Sequence, residues 1–153
     1  MLYSLISVLI FGLDSKIKHE VEEKVEEGSV HHVWHDRLLI RKHHNKGVVL
    51  NAFDSHQKLM ASVSAGFTVL TALLGMDAFL DKQRSTAGKL GFAFVLGGAL
   101  SNTMDRIKRG YVVDYVSFHV KWTKLKNIVF NISDFFIMGG AVLTALFGDS
   151  KKK

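Results

Sequence analysis

Between positions 102 and 134 the chain reads NTMDRIKRGYVVDYVSFHVKWTKLKNIVFNISD, and its three carboxylates, Asp105, Asp114 and Asp134, are the groups best suited to chemistry. Asp114 interrupts the apolar run Tyr111-Val112-Val113-Asp114-Tyr115-Val116, and Asp134 stands in Phe130-Asn131-Ile132-Ser133-Asp134-Phe135-Phe136. A lone acid in apolar company is hard to explain as packing. Two such acids in one site would hold one proton between them, because like charges at close range resist double ionisation. One ionised and one protonated carboxyl can activate a water and protonate an amide leaving group. Spacing alone leaves a second chemistry open, a proton or ion pathway, which uses intramembrane acids equally well.

The companions of these acids are polar and regularly spaced. Asn102 and Asp105 are three apart, as are Asn131 and Asp134, a spacing that shares one helix face. The two asparagines would orient water or peptide. Arg106 would balance the excess negative charge and brace Asp105. Far upstream, Asp14 and Lys18 are four apart and would neutralise each other near a membrane interface, with a solvated pair just outside it as the equal alternative. Ser101 or Ser133 as the nucleophile of a Ser–Lys peptidase is a weak alternative, because the spans offer no nearby Lys.

The chain has no Cys, so thiolate nucleophiles, disulfides and Cys-bound metals are excluded. Five of its eight His residues, His31, His32, His35, His43 and His44, fall in one segment. They suit either a metal or a wet sheet surface. The helical zinc motif is not met, because position 23 after His19-Glu20 is Glu.

These groups need elements to hold them. At 153 residues the chain is one domain, 1–153. Its net charge of +6 allows nucleic acid or anionic lipid as a partner, but its 48% hydrophobic residues are clustered in blocks, which points to the membrane. The expectation is a mainly α integral membrane protein, with four transmembrane helices at about 1–27, 57–80, 87–106 and 127–148. The first helix begins apolar and continues as an amphipathic run stopped by Gly28. The segment 59–80 carries a single charge, Asp77, and is long enough for roughly 30 Å of hydrocarbon. Between the first two helices, β-branched and aromatic residues predict a small extracytoplasmic β-sheet at about 30–55, with a turn at Asn45-Lys46-Gly47.

Taken in order, these residues resemble lipoprotein signal peptidase, the bacterial signal peptidase II family of intramembrane aspartic peptidases. The family pattern Gly-Gly-Ala, Gly-Asn, two residues, Asp-Arg, then Gly and Val-Val-Asp-Phe is met by Gly97-Gly98-Ala99, Ser101-Asn102, Asp105-Arg106, Gly110 and Val112-Val113-Asp114-Tyr115. Its Phe-Asn-x-Ala-Asp is met by Phe130-Asn131-Ile132-Ser133-Asp134, and its first-helix Asp and Lys by Asp14 and Lys18. The resemblance implies Asp114 and Asp134 as the catalytic pair. Asn102, Asp105, Arg106 and Asn131 would support it, with Asp14, Lys18 and Asn45 among the supporting or substrate-binding residues. It implies removal of signal peptides from diacylglyceryl-modified prolipoproteins, cut just before the lipidated Cys. No metal or other cofactor and no nucleic acid would take part. The enzyme would be a monomer among the lipids of the bacterial cytoplasmic membrane, its site towards the extracytoplasmic face. The alternatives are a non-catalytic membrane adaptor and a small ion or proton carrier on the same fold.

This sequence departs from the pattern at Ser101, where the family has Gly, and at Ser133, where it has Ala. It also has Val48-Val49-Leu50 in place of small residues, and the acidic run 20–27 is atypical.

Four spans place both chain ends on one side, with the 81–89 loop. The side of the longer segments carries at least as many lysines and arginines as the other, so they do not orient the chain. The short loop and the tail Lys151-Lys152-Lys153 are assigned to the cytoplasm because the longer segments carry the acids. With no native Cys, Ser85→Cys and Ser150→Cys should both escape an impermeant thiol reagent on intact cells. Strong labelling of both would reverse the topology.

Overall fold

The computed structural model describes residues 1–47, 56–120, 122 and 126–149. Four helices and three strands follow in order: α1 (Leu2–Lys24), β1 (His31–Val33), β2 (Leu38–Asn45), α2 (Gln57–Leu80), α3 (Thr86–Arg109), β3 (Val112–Phe118) and α4 (Ile132–Phe147). Helix α3 is the hub, packing against α4, α2 and α1. It starts on Ser85, whose hydroxyl accepts from the Gly88 N–H at 3.1 Å, and stops at Gly110 in the left-handed region at φ 81°. Its last turn carries Arg106, Lys108 and Arg109, cations suited to the negative end of the helix.

The packing is inverted relative to a water-soluble protein. Leu5, Leu9 and Leu13 of α1, Val63, Leu70 and Leu74 of α2, and Met138, Val142 and Leu146 of α4 are exposed. Asp14, Lys18, Thr68, Ser101, Asn102 and Thr103 are buried. So much outward apolar surface marks contact with something apolar. Among the described residues one helix, Gln57–Leu80, is long and apolar enough by itself to cross a membrane; Ile132–Phe147 is apolar but shorter.

Close helix approach replaces hydrophobic burial as the cement, as expected between helices in lipid. A Cβ on Gly91 would lie 2.9 Å from the Gly140 carbonyl oxygen, and one on Gly140 would lie 2.7 Å from that of Gly91. A Cβ on Gly98 would lie 2.6 Å from the Ser133 carbonyl oxygen, one residue before Asp134. On the neighbouring face a Cβ on Gly97 would lie 2.8 Å from the Ser7 carbonyl oxygen of α1.

The sheet differs from the expectation in two ways. It is antiparallel in the order β1-β2-β3, and its third strand comes from positions 112–118 rather than from the 30–55 segment. The β1–β2 turn lies at Trp34, His35 and Asp36, all with positive φ, rather than at Asn45-Lys46-Gly47. Asn45 instead ends β2, paired with Val112. A non-glycine turn of this kind lacks the Gly signal that was used to place it. The rest of the second expected strand, 48–55, lies outside the described residues. Three helix limits also shift: α1 ends at Lys24, ahead of Gly28, α3 runs on to Arg109, and α4 begins at Ile132.

The amphipathic end of α1 clamps the sheet. Glu22 accepts from Tyr111 Oη at 2.9 Å and pairs with His44 Nε2 at 3.0 Å, and the His44 and Tyr111 rings stack at 4.1 Å. His44 is therefore half-buried and engaged rather than part of a wet surface.

Gly98→Ala should force the start of α4 away from α3. Overpacking of this kind typically costs about 1–3 kcal/mol. A lowered melting temperature in detergent checks it; an unchanged one would mean that α4 accommodates the methyl freely.

Candidate active site

Asp114 and Asp134 reach one place from different elements. Asp114 is on β3. Asp134 is at the third position of α4, whose N-cap is Asn131. Backbone pairing sets their relative position: the Tyr115 and Val116 N–H groups both donate to the Phe130 carbonyl, and the Phe130 N–H returns a bond to Val116 O at 2.7 Å. β3 thus grips the residue immediately before the cap of α4.

Asn131, fully buried, then touches both acids. Its side-chain Nδ2 donates to Asp114 Oδ1 at 2.7 Å. Its backbone N–H donates to Asp134 Oδ2 at 3.0 Å, while its Oδ1 accepts from the Asp134 N–H at 3.0 Å. This is a reciprocal capping box with Asp in the place of the usual Glu. Asn45 Nδ2 donates to Asp114 Oδ2 and Asn102 Nδ2 donates to Asp134 Oδ1, each at 3.0 Å. Three asparagines named from the sequence therefore hold the two carboxylates between them.

The environments of the two acids differ. Asp114 is 2% exposed. Burial, and then the negative charge of Asp134, push its carboxyl up from 3.8 to about 7, against the opposing hydrogen bonds of Asn45 and Asn131. Asp134 likewise takes two N–H donors, but it sits in the first turn of a helix, where an anion is favoured.

Beneath the pair lies a second charged cluster. Lys18 and Asp14, expected at an interface and as readily in solvent, are 1% and 0% exposed. The Lys18 ammonium meets Asp14 Oδ2 at 2.9 Å, Asp105 Oδ2 at 3.1 Å and Asn102 Oδ1 at 2.7 Å. Asn102 thereby links the lysine to Asp134. Asp105 also accepts from the Val113 N–H at 3.2 Å, beside Asp114, and lies 3.6 Å from Arg109.

Arg106 does not brace Asp105. That is done by Lys18 and Arg109, while Arg106 Nη2 donates to the Gly47 carbonyl at 2.8 Å. The charge of Arg106 acts on Asp114 most, then on Asp134 and Asp105, so it still offsets the acids. The Ser–Lys alternative was set aside for want of a lysine, yet Lys18 Nζ does reach Ser101 Oγ, at 3.1 Å. It fails for another reason. The Lys18 ammonium is already engaged by Asp14, Asp105 and Asn102, and Ser101 is only 1% exposed, with its hydroxyl donated to Asp14.

The sequence also did not reveal Tyr115, Ser101 and Ser133 as partners of Asp14, or Arg109 as a partner of Asp105. Ser101 and Ser133 stood out only as weak nucleophile candidates and as departures from a pattern. No group of three or more His, Asp or Glu side chains that would hold a metal occurs among the described residues. A cavity of about 300 Å³ opens between α2 and α3, lined by Met60, Val63 and Phe67 and ending on Asn102 and Arg106.

Fold and site define a membrane protein with a carboxylate pair near an apolar cavity, which ends on Asn102, the amide that donates to Asp134. The fold is similar to two bacterial membrane enzymes solved by the in meso method. One has a TM-score of 0.75 at 22% identity, covering 94% of this chain and 85% of that one. The other has 0.73 at 23%, covering 97% and 94%. The family model described as Signal peptidase (SPase) II matches residues 6–148, and the chain belongs to that family. Among curated relatives, the lipoprotein signal peptidase of Clostridioides difficile is 30% identical over the full length of both chains. That of Mesorhizobium japonicum is 32% identical, over 92% of this chain and 81% of its own.

The raised affinity of Asp114 for its proton predicts a sign. The folded state holds a proton that the unfolded state releases between pH 3.8 and about 7, so stability falls as pH rises through that window and levels off above it. Asp114→Asn should flatten the fall. Melting temperature against pH for both proteins checks this, and equal slopes would contradict it.

Proposed function

We propose that this chain is an intramembrane aspartic endopeptidase that removes signal peptides from diacylglyceryl-modified prolipoproteins, with Asp114 and Asp134 as its catalytic pair. Membership of the signal peptidase II family supports the activity. The observation that carries the assignment of residues is Asn131, which binds both carboxylates at once.

The environments divide the roles. Asp114, raised to about 7, holds the shared proton at neutrality. Asp134, in the first turn of a helix where an anion is favoured, is assigned as the ionised partner. A water between them gives its proton to Asp134 as its oxygen bonds to the scissile carbonyl carbon, and Asp114 protonates the carbonyl oxygen. The resulting gem-diol collapses as the C–N bond breaks. Asp134 passes its proton to the leaving nitrogen, and one hydroxyl returns its proton to Asp114. No covalent enzyme intermediate and no metal enters these steps.

The apolar groove ending at Asn102 suits a signal peptide or lipid chain arriving from within the bilayer. Outward apolar faces on α1, α2 and α4 support four spans with α3 enclosed among them. The sheet would rest on the extracytoplasmic face of the cytoplasmic membrane, and the enzyme would act as a monomer.

Turnover of a lipidated prolipoprotein, followed by mass, tests the assignment. Asp114→Asn and Asp134→Asn should each lower it by at least about 10²-fold. The double variant should be no worse than the worse single, because the pair acts as a unit. Asp105→Asn should be milder. Cleavage by either single variant near the wild-type rate, with Asp105→Asn the inactive one, would mean that the pair is wrongly chosen.

A further inference from the structure

We infer that Asp14 and three hydroxyls, those of Ser101, Tyr115 and Ser133, form a buried tie that sets the spacing of the two acids, making these hydroxyls positioning residues for the reaction. The inference rests on the assignment of Asp114 and Asp134 made above. Asp14 Oδ2 accepts from Ser101 Oγ and from Ser133 Oγ, both at 2.6 Å, and Asp14 Oδ1 accepts from Tyr115 Oη at 2.8 Å. All four side chains are buried. With Lys18 also on Oδ2, this carboxylate has four donors, about as many as its lone pairs take.

The places of the hydroxyls in the chain give the tie its meaning. Ser101 precedes Asn102, which donates to Asp134. Ser133 precedes Asp134 itself, and Tyr115 follows Asp114. One carboxylate on α1 therefore holds the chain neighbour of each acid and of the amide that supports one of them. Tyr115 adds a further link, because its oxygen accepts from the Ile132 N–H at 3.1 Å, at the first residue of α4. Burial, and then the charge of Asp14, push the Tyr115 phenol up, so it stays a neutral donor. Short charge-assisted bonds are strong and directional. Three of them from α3, β3 and α4 to one point restrict how far those segments can part.

Ser101→Ala, Ser133→Ala and Tyr115→Phe each delete one oxygen and add no bulk. The three single variants and the triple are purified in detergent and measured in two ways. Turnover of a lipidated prolipoprotein separates kcat from KM. The protonation midpoint of Asp114, from carboxyl NMR of labelled protein, needs no substrate. The groups facing Asp114 in that titration are Asp134, Asn131, Asn45, Lys18 and Arg106. The triple variant should lose roughly tenfold in kcat with KM held within about twofold, since a misplacement near 1 Å can cost up to 10²-fold. Its Asp114 midpoint should fall, because acids free to part repel less. The singles should move the same way by less, and they answer the question if the triple does not fold. A folded variant set with kcat and midpoint both at wild-type values, whatever the melting temperature, overturns the inference. If the wild type itself cleaves nothing, the proposed function fails, and the midpoint alone still decides between a tie and a passive cluster.

Discussion

One buried ammonium organises this molecule. Moving a charge of that size out of water costs several kcal/mol even after relaxation, so Lys18 is tolerable only where oxygens surround it. Asp14, Asp105, Ser101 and Asn102 supply them, from α1 and from one face of α3. An ammonium has only three N–H donors for these four acceptors, so the acceptors must converge. That convergence fixes how α1 lies on α3. Because Asn102 donates onward to Asp134, it also sets the place of that acid.

The same constraint explains why the interior is polar and the exterior apolar. Helices in hydrocarbon gain nothing by hiding leucine from their surroundings, so close contact and hydrogen bonding must specify the packing. Glycines at 91, 98 and 140 bring α3 and α4 to backbone contact, and Gly97 does the same for α1. The polar network then has one low-dielectric room in which to operate. In that room two acids cannot both ionise cheaply, and Asp114 keeps a proton near neutrality.

Asn131 is where architecture and chemistry coincide. As an N-cap it starts α4, and as a side chain it holds Asp114. The helix start is therefore coupled to the site: a change that unwinds the first turn of α4 also moves both acids. β3 reinforces this by pairing Val116 with Phe130, the residue before the cap.

Much was legible in the chain by itself. The apolar blocks, the acids isolated within them, the asparagines three residues ahead of Asp105 and Asp134, and the ordered motifs that match the family are all local facts of composition and spacing. Asn45, Asn102 and Asn131 were named from them, and they sit on the acids. What the chain did not disclose depends on pairing across long separations. Asp14 meets Ser101 87 residues away and Ser133 119 residues away, and no local period encodes such partners. The third strand hid in 112–118 because β3 is buried nearly throughout and lacks the alternation that marks a half-exposed strand. The turn at Trp34–Asp36 hid because no glycine or proline announces it. Arg109, three residues on, took the partner expected for Arg106, because the rotation of α3 about its axis decides which of them faces Asp105. That rotation is set only when α1, α2 and α4 close around it.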